Sequence, residues 1–395
     1  MKRVLIAGVS TRAAAESAAR SGFAVTAIDA FADLDQHPSV QALSLEGTFS
    51  PDAASRLAGT IECEAVAYVS NYENHPGAVL QLAQGRALWG NTPEVLQRVR
   101  DPLILSQALR RRGLAAPAVD VERVAPVESV ESAESRISNP ESRQGPDLQW
   151  LVKPRASGGG HRVRRWRNET RVPRGCYLQE FIEGAPGSVV FVAAGGRAVA
   201  LGVSRQLIGE EPFGASGYRY CGNILLAAGR DDDLVDGACA VAAAVCEEFS
   251  LVGVNGIDFV ATRGIPYAIE VNPRWCASME LVERAFGLSV FGAHAAACRD
   301  GVLPDFDLGR ARRVDAVGKA VVFARHDVTV GDTRAWLADA DVRDVPHSGA
   351  RIRAGRPVCT VFANARDETE CHASLVRRAA RVYAQLTRIG HPGML

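Results

Sequence analysis

The stretch from Gly256 to Trp275, GIDFVATRGIPYAIEVNPRW, constrains the fold more than any other part of this chain. Two apolar runs of strand length flank a turn at Gly264, the pattern of a β-hairpin. Strand side chains alternate between faces, so Glu270 and Asn272 share one face while Ile269 and Val271 turn toward a core. Asp258 precedes Glu270 by twelve residues. The two carboxylates share a face only if the connecting loop is odd in length, which predicts three loop residues with Gly264 in a left-handed conformation. Ile257, Phe259, Ile269 and Val271 are then expected to fill the opposite face. Two carboxylates on a strand face are more often solvated than ligating. Here Asn272 completes an oxygen-only set, and Arg274 adds a guanidinium at the strand end. Hard oxygen ligands beside a guanidinium suit magnesium, or alternatively manganese, bridged to nucleotide phosphates.

At 395 residues the chain exceeds one ordinary core, and about two to three domains are expected. The 45 basic residues balance 45 acidic ones, so no net field advertises nucleic acid or a membrane surface. Near the start, Arg12, Glu16 and Arg20 interrupt any apolar run, which argues against a signal peptide, and no run reaches membrane-spanning length. A cytoplasmic location is the expectation. The nine cysteines are scattered from Cys63 to Cys371 without a CxxC or a Cys/His cluster, so neither a disulfide framework nor a zinc site is expected.

Residues 2–9, KRVLIAGV, read as a buried parallel strand followed by an Ala-rich helix over 11–21 and a strand AVTAID ending at Asp29. Strand AVAYVS (65–70) and a further helix continue an open α/β unit. Asp29 lies 21 residues after Gly8, where a dinucleotide fold would place its ribose carboxylate, but the turn lacks G-x-G-x-x-G. A purely structural sheet is favoured. Residues 90–119 read as two short helices, the first started by Thr92-Pro93 and the second ended by Gly113, and the Ser/Glu/Pro-rich stretch 120–147 reads as a connector. A strand QWLVKPR (149–155), an antiparallel region from 176, a long helix over about 231–249, the hairpin, and a β-rich tail closed by a helix complete the chain.

Lys153 ends its strand just before a loop containing Ser157, Gly158, Gly159 and Gly160. Such glycines let backbone N–H groups close around phosphate oxygens, and the lysine adds a point charge. The spacing is not that of a P-loop, and three glycines equally suit a flexible hairpin tip. His161 reads as an incidental loop residue. In YLQEFIEG, Gln179 and Glu180 precede Phe181 and Ile182, placing polar groups and free strand backbone beside an apolar wall that would suit a purine.

The order of these pieces, a lysine and glycine loop, then this segment, then Asp and Glu-x-Asn about eighty to ninety residues later, resembles the ATP-grasp superfamily. GIDFVATRGIPYAIEVNPRW is similar to that superfamily's metal-binding hairpin, and the likeness extends over nearly the whole chain. It implies an α/β protein, α+β in its central part. An N-terminal open parallel α/β domain (1–92) would precede a small nucleotide-clamping lobe (93–178) with a loop insertion near 120–147. A central lobe with the metal-binding hairpin (179–303) and a small β-rich C-terminal domain (304–395), similar to that of carboxylase-related members, would follow.

By the same resemblance Lys153 would touch the phosphates of ATP and the 156–161 loop would close over them. Gln179, Glu180, Phe181 and Ile182 would form the adenine hinge. Asp258, Glu270 and Asn272 would hold magnesium, and Arg274 would stabilise the transferring phosphoryl group. Family members usually carry a second ATP-contacting lysine before the helix that here begins Asp101-Pro102, and Arg100 is the substitute. Glu183 or Ser188 stands where a ribose-binding acid is often found. GYRYCGN (217–223) resembles a segment facing the active site, making Arg219 and Asn223 candidates for substrate or phosphate contact, although a Gly/Asn-rich surface turn reads equally well. Ser10, Arg12, Asn71 and Glu73, at strand ends, are candidate substrate contacts.

The implied reaction joins a small-molecule carboxylate to an amine through an acyl phosphate, releasing ADP and phosphate. The alternatives are a carboxylase acting on bicarbonate and a nucleotide-binding regulatory protein without chemistry. A homodimer is the implied assembly.

Overall fold

The computed structural model describes residues 1–45, 49–121, 148–167, 171–227, 231–311 and 315–389. Most of the expected 120–147 connector lies outside the described residues.

The first sheet is parallel: β1 (Arg3–Ala7), β2 (Ala24–Asp29), β3 (Val40–Ser44), β4 (Ala65–Tyr68) and β5 (Ala87–Trp89) run in the order β3-β2-β1-β4-β5. Its central strand shows why the opening sequence is apolar at every position from Val4 to Ala7. Val4 and Ile6 pack with Ala14, Ala15 and Ala18 of α1 (Arg12–Arg20), whereas Leu5 and Ala7 pack with Ala54 and Ala58 of α2 (Pro51–Ala58) and with Val79 and Leu82 of α3 (Pro76–Leu82). A strand buried on both faces has no polar alternation. The carboxyl ends of β1 and β4, where a doubly wound sheet would admit a ligand, abut: Val9 N donates to Ser70 O at 2.5 Å, and a Cβ on Gly8 would lie 2.2 Å from Val69 Cγ2. Asp29 is occupied locally, accepting hydrogen bonds from Thr11 N, Thr11 Oγ1, Phe31 N and Ala32 N.

Two short helices follow, α4 (Pro93–Val99) and α5 (Pro102–Arg111), each with proline in its first turn. Asp101 caps α5 by accepting from Leu103 N at 2.9 Å and Ile104 N at 3.1 Å. A residue of that kind at this position is thus explained by helix capping. Gly113, at φ 74°, lets the chain leave α5.

A small antiparallel sheet, β6 (Val119–Asp120), β7 (Trp150–Pro154), β8 (Arg164–Arg165) and β9 (Cys176–Glu180), has the order β6-β9-β7-β8. Its core is little more than Val152, Val172, Cys176 and Leu178. The large sheet is antiparallel and eight-stranded. It comprises β10 (Ala185–Ala194), β11 (Arg197–Ile208), β12 (Tyr220–Leu225), β13 (Gly253–Thr262), β14 (Ile265–Asn272), β15 (Ala316–Phe323), β17 (Val342–Arg343) and β19 (Pro357–Ala365), while β16 (Val328–Thr329) and β18 (Arg351–Ile352) form a separate ribbon. The order is β14-β13-β10-β11-β12-β15-β19-β17, so pairing runs straight from β12 to β15 across residues 303 and 304.

Helix α6 (Asp232–Phe249) covers one face of this sheet with Val235, Ala238, Val241, Ala242, Val245 and Phe249, all buried against Val189, Phe191, Ile257 and Phe259. Each buried valine or phenylalanine contributes roughly 1.5–3 kcal/mol. Helices α7 (Met279–Phe286) and α8 (Val290–Asp300) fill the space between the other face and the parallel domain. The last helix, Glu368–Ile389, buries Cys371, Leu375, Ala379, Val382 and Leu386, a stripe at helical spacing, against β15 and β19. The nine cysteines form no disulfide among the described residues. No described helix is long and apolar enough to cross a membrane.

The hairpin departs from expectation in an instructive way. Its turn has two residues, Arg263 and Gly264, both in the left-handed region at φ 52° and 77°. Pairing from Thr262↔Ile265 to Phe259↔Ala268 would carry on to set Asp258 opposite Ile269. Instead the register shifts by one, and Asp258 pairs with Glu270, Ile257 with Val271, and Gly256 with Asn272. Ile269 is the extra residue of a β-bulge. The bulge supplies the odd residue expected in the loop. It also takes Ile269 out of the core, where Ala268 replaces it beside Ile257, Phe259 and Val271.

Candidate functional site

The three sheets meet around one cleft of about 1260 Å³. The structure brings Arg100, Lys153, Ser157, Gly158, Gly159, Gly160, Gln179, Glu180, Phe181, Ile182, Arg219, Asp258, Glu270, Asn272 and Arg274 to its wall, together with Ser10, Arg12, Asn71, Glu73, Ser188 and Asn223. Glu183 is exposed and lies off that wall.

Lys153 projects from β7 and is buried. Its Nζ donates to Gln179 Oε1 at 3.0 Å and stands 4.0 Å from Glu270 Oε2. Gln179 Nε2 in turn donates to Ile269 O at 3.2 Å, so the bulge presents a carbonyl that ties the small sheet to the hairpin. Glu180 is less free than its position suggested, since its Oε2 accepts from Ala118 N at 2.8 Å. The backbone N–H groups of Glu180 and Phe181 are also taken, by Ala118 O and Gln149 O. The free strand backbone expected at this segment is therefore reduced by the small sheet's own pairing. The Phe181 ring lies 3.2 Å from the guanidinium carbon of Arg165.

The glycine loop rests on the large sheet. Gly159 O accepts from Tyr220 N at 3.1 Å, and Ser157 O accepts from Arg100 Nη2 at 3.2 Å. Gly160 is required at its position: φ is 73°, and a Cβ would fall 1.7 Å from Tyr218 O. His161 is exposed.

Asp258 and Glu270 face each other across the hairpin. Asp258 accepts from Gln206 Nε2 at 2.8 Å and from Asn272 Nδ2 at 3.0 Å. Glu270 receives Arg100 Nη1 at 2.6 Å, and Arg100 is held further by Val271 O and Asn74 Oδ1. Burial raises both carboxyl groups, but Arg100 and Lys153 overcome it at Glu270, which is lowered. At Asp258 burial and the Glu270 charge prevail and push it up to about 6. Asp258 is the carboxylate short of positive charge, and a hard divalent cation would relieve it, while Asn272 turns its amide nitrogen to Asp258 and its oxygen to Arg274. Among the described residues no group of three His, Cys, Asp or Glu side chains is arranged to hold a metal, so any cation here would draw its remaining ligands from elsewhere.

Arg274 is the fixed point between sheets. Its Nη2 lies 2.8 Å from Glu73 Oε1 and donates to Asn272 Oδ1 at 3.1 Å. Burial would lower its pKa, but the Glu73 charge more than compensates and raises it. Arg219 donates to Gly355 O at 2.8 Å and stacks 5.0 Å from the Phe323 ring, reaching across to the C-terminal strands. Asn223 is internal: it donates to Ser204 Oγ at 2.8 Å and accepts from Tyr220 OH. Ser188 Oγ likewise bonds Ser204.

Around Arg12, which the sequence offered as a candidate substrate contact, stand wall groups that escaped the sequence reading, Glu280, Lys319 and Asp344 among them. Arg12 is fully buried and pairs with Asp344 and Glu280 at 2.7 Å each, and with Asp35 at 3.5 Å. Lys319 completes the network at 2.6 Å from Glu280. Burial would raise the Glu280 carboxyl, but Arg12 and Lys319 hold it far below the usual carboxylate range. A lone lysine inside the apolar strand GKAVVF was a usable signal for Lys319. Nothing local marked Asp33 or Asp344.

A family model described as an ATP-grasp domain matches residues 99–278, which span α5, the small sheet, the glycine loop and the whole hairpin. The chain carries an ATP-grasp domain. The mixed architecture agrees, with a parallel sheet first and antiparallel sheets in the ATP-grasp region. Solved structures match along nearly the full length. The L-amino acid ligase from Bacillus licheniformis is 16% identical with a TM-score of 0.68, covering 96% of this chain and 97% of that one. N5-carboxyaminoimidazole ribonucleotide synthetase from Thermotoga maritima is 18% identical with a TM-score of 0.64, covering 96% and 98%. The biotin carboxylase domain of Hydrogenobacter thermophilus 2-oxoglutarate carboxylase, in complex with MgADP and bicarbonate, is 13% identical with a TM-score of 0.67, covering 92% and 86%. At these identities the likeness is one of fold. No curated protein matches the chain in sequence.

Proposed function

We propose that this ATP-grasp protein is an ADP-forming ligase that activates a small-molecule carboxylate as an acyl phosphate for attack by an amine. The observation that carries the proposal is the cleft in which Lys153 and Arg100 meet Glu270 opposite Asp258, with Arg274 beside them at Asn272. In-line phosphoryl transfer demands positioning and charge neutralisation rather than a protein nucleophile, and these groups offer both. Asp258, Glu270 and Asn272 would hold magnesium, which neutralises phosphate charge when bound. Lys153 and the glycine loop would position ATP phosphates, Gln179 to Ile182 would border the adenine, and Arg274, locked by Glu73, would present a fixed guanidinium to the transferring group. Arg219, tethered to Gly355, would face the substrate side.

The test is ADP release by the purified protein with ATP and magnesium across amino acids, amines, small carboxylates and bicarbonate. Release that requires one carboxylate and one amine supports the ligase. Release with bicarbonate and a nitrogen acceptor would transfer the proposal to a carboxylase, the class of one of the matching structures. MgATP binding without turnover in any mixture would favour a regulatory protein.

The loop assignment has its own test. Alanine at Gly160 meets Tyr218 O and costs roughly 1–2 kcal/mol in the left-handed region alone, so it must lift the loop from the sheet. Gly160→Ala is expected to weaken MgATP binding about tenfold by calorimetry. Unchanged affinity would remove this loop from the nucleotide site.

A further inference from the structure

On the cleft wall contributed by the parallel domain, one buried carboxylate differs from all its neighbours. Asp33 is 8% exposed and lines the cleft, yet among the described residues its side chain accepts no hydrogen bond and forms no ion pair. The other carboxylates of the wall each have at least one partner, although Glu73 Oε2 is left without one, and Asp258 accepts from Gln206 and Asn272. Glu73 has Arg274, Glu270 has Arg100, and Glu280 has Arg12 and Lys319. Arg12, whose charge acts on Asp33, directs its hydrogen bonds elsewhere: Nε donates to Asp344, Nη1 to Glu16 and Nη2 to Glu280. The Asp33 oxygens open onto the cleft rather than into the core, so the partner that the fold withholds from this mostly buried carboxylate can be supplied from the cleft.

Resting on the ligase reading above, we propose that Asp33 anchors a protonated amino group of the substrate, one that is not itself acylated. The chemistry narrows the ligand class. A hard metal ion would need several oxygens, and among the described residues Asp33 is not grouped with two further His, Cys, Asp or Glu side chains in metal-holding geometry. A single carboxylate in an acidic surround suits an ammonium. The surround consists of Asp344, Asp29 and Asp35, with Arg12 as the opposing charge. Burial and those three carboxylates push the Asp33 carboxyl up to about 9, so the empty site holds a proton that an arriving cation displaces. An amino group paired in this way keeps its own proton and lone pair occupied. It therefore cannot be the nucleophile, which makes it a spectator group used for selection. Either the α-amino group of an amino acid whose carboxylate is activated, or the distal ammonium of a diamine acceptor, supplies that chemistry.

The experiment compares wild type with Asp33→Asn on matched pairs in the ADP-release assay with MgATP: L-alanine against propionate, and 1,4-diaminobutane against butylamine. The pair that discriminates identifies the source of the ammonium. Loss of one charge-assisted contact is expected to raise KM for the ammonium-bearing member about 10–100-fold in the variant, with KM for ATP and turnover of the deaminated analogue unchanged. A variant that retains the wild-type KM, or a wild type that accepts both members of every pair equally, overturns the proposal.

A second measurement does not depend on finding the substrate. Because folding raises the Asp33 carboxyl above its unfolded value, this group subtracts stability progressively as pH rises from about 4 to about 9. Asp33→Asn lacks that penalty, so its melting temperature is expected to exceed that of wild type at pH 8 and to converge with it near pH 4. A lower melting temperature for Asp33→Asn at both pH values would make Asp33 a structural acceptor and overturn the proposal, even if the ligase reading stands. MgATP binding that persists alongside such a result shows that the ligase reading has not failed with it.

Discussion

Glu270→Gln is expected to lower substrate-dependent ADP release by about 10³-fold, roughly 4 kcal/mol of transition-state stabilisation. The size follows from what Glu270 touches. It receives Arg100 at 2.6 Å, stands 4.0 Å from Lys153, and opposes Asp258 across the bulged hairpin. An amide of the same shape removes half of the carboxylate charge available to a divalent cation. It also leaves two cations, one of them the proposed phosphate-binding lysine, without their counter-charge. The fold should survive, because Val271, Ile257 and Phe259 on the opposite face are untouched. Stopped turnover in a protein that still folds cooperatively, with its melting temperature lowered by the two cations left facing an amide, is the expected pair of results. Normal turnover in this variant would remove the metal assignment from Asp258, Glu270 and Asn272 together.

Arg274→Met is expected to abolish activity and also to destabilise the protein by about 3–5 kcal/mol. Glu73 is 2% exposed and depends on Arg274 for its ion pair, so the single substitution strands a buried carboxylate. The companion Glu73→Gln/Arg274→Met variant removes both charges and should regain most of the lost stability, read as the melting temperature. Its ADP release should stay absent. That split separates a guanidinium acting on the transferring group from one that only joins two domains. Recovery of activity in the double variant would show that Arg274 serves structure alone.

Much of the architecture was legible because it depends on local rules. Within residues 2–9 the uninterrupted apolar run Val4–Ala7 reads as a strand covered on both faces, and β1 divides its side chains between two cores accordingly. Proline after Thr92 started the first of the two short helices, and Gly113 ended the second, where expected. The hairpin, Lys153 and the triple glycine were visible for the same reason: each announces itself within a few residues.

What the sequence by itself determined is therefore the set of elements and the oxygen-rich strand end. What only the tertiary structure decided is how the strands align and which charges meet. A bulge at Ile269 costs one residue and leaves no compositional mark, yet it places Asp258 opposite Glu270 after an even turn. Arg12 meets Glu280 and Asp344 from positions 268 and 332 residues away along the chain. Asp33 differs from Asp35 only in what surrounds it, since Asp35 accepts from Asp344 N and Val345 N while Asp33 faces the cleft. Coulomb interactions and desolvation depend on distance in space and on the water displaced, and neither is encoded in local periodicity.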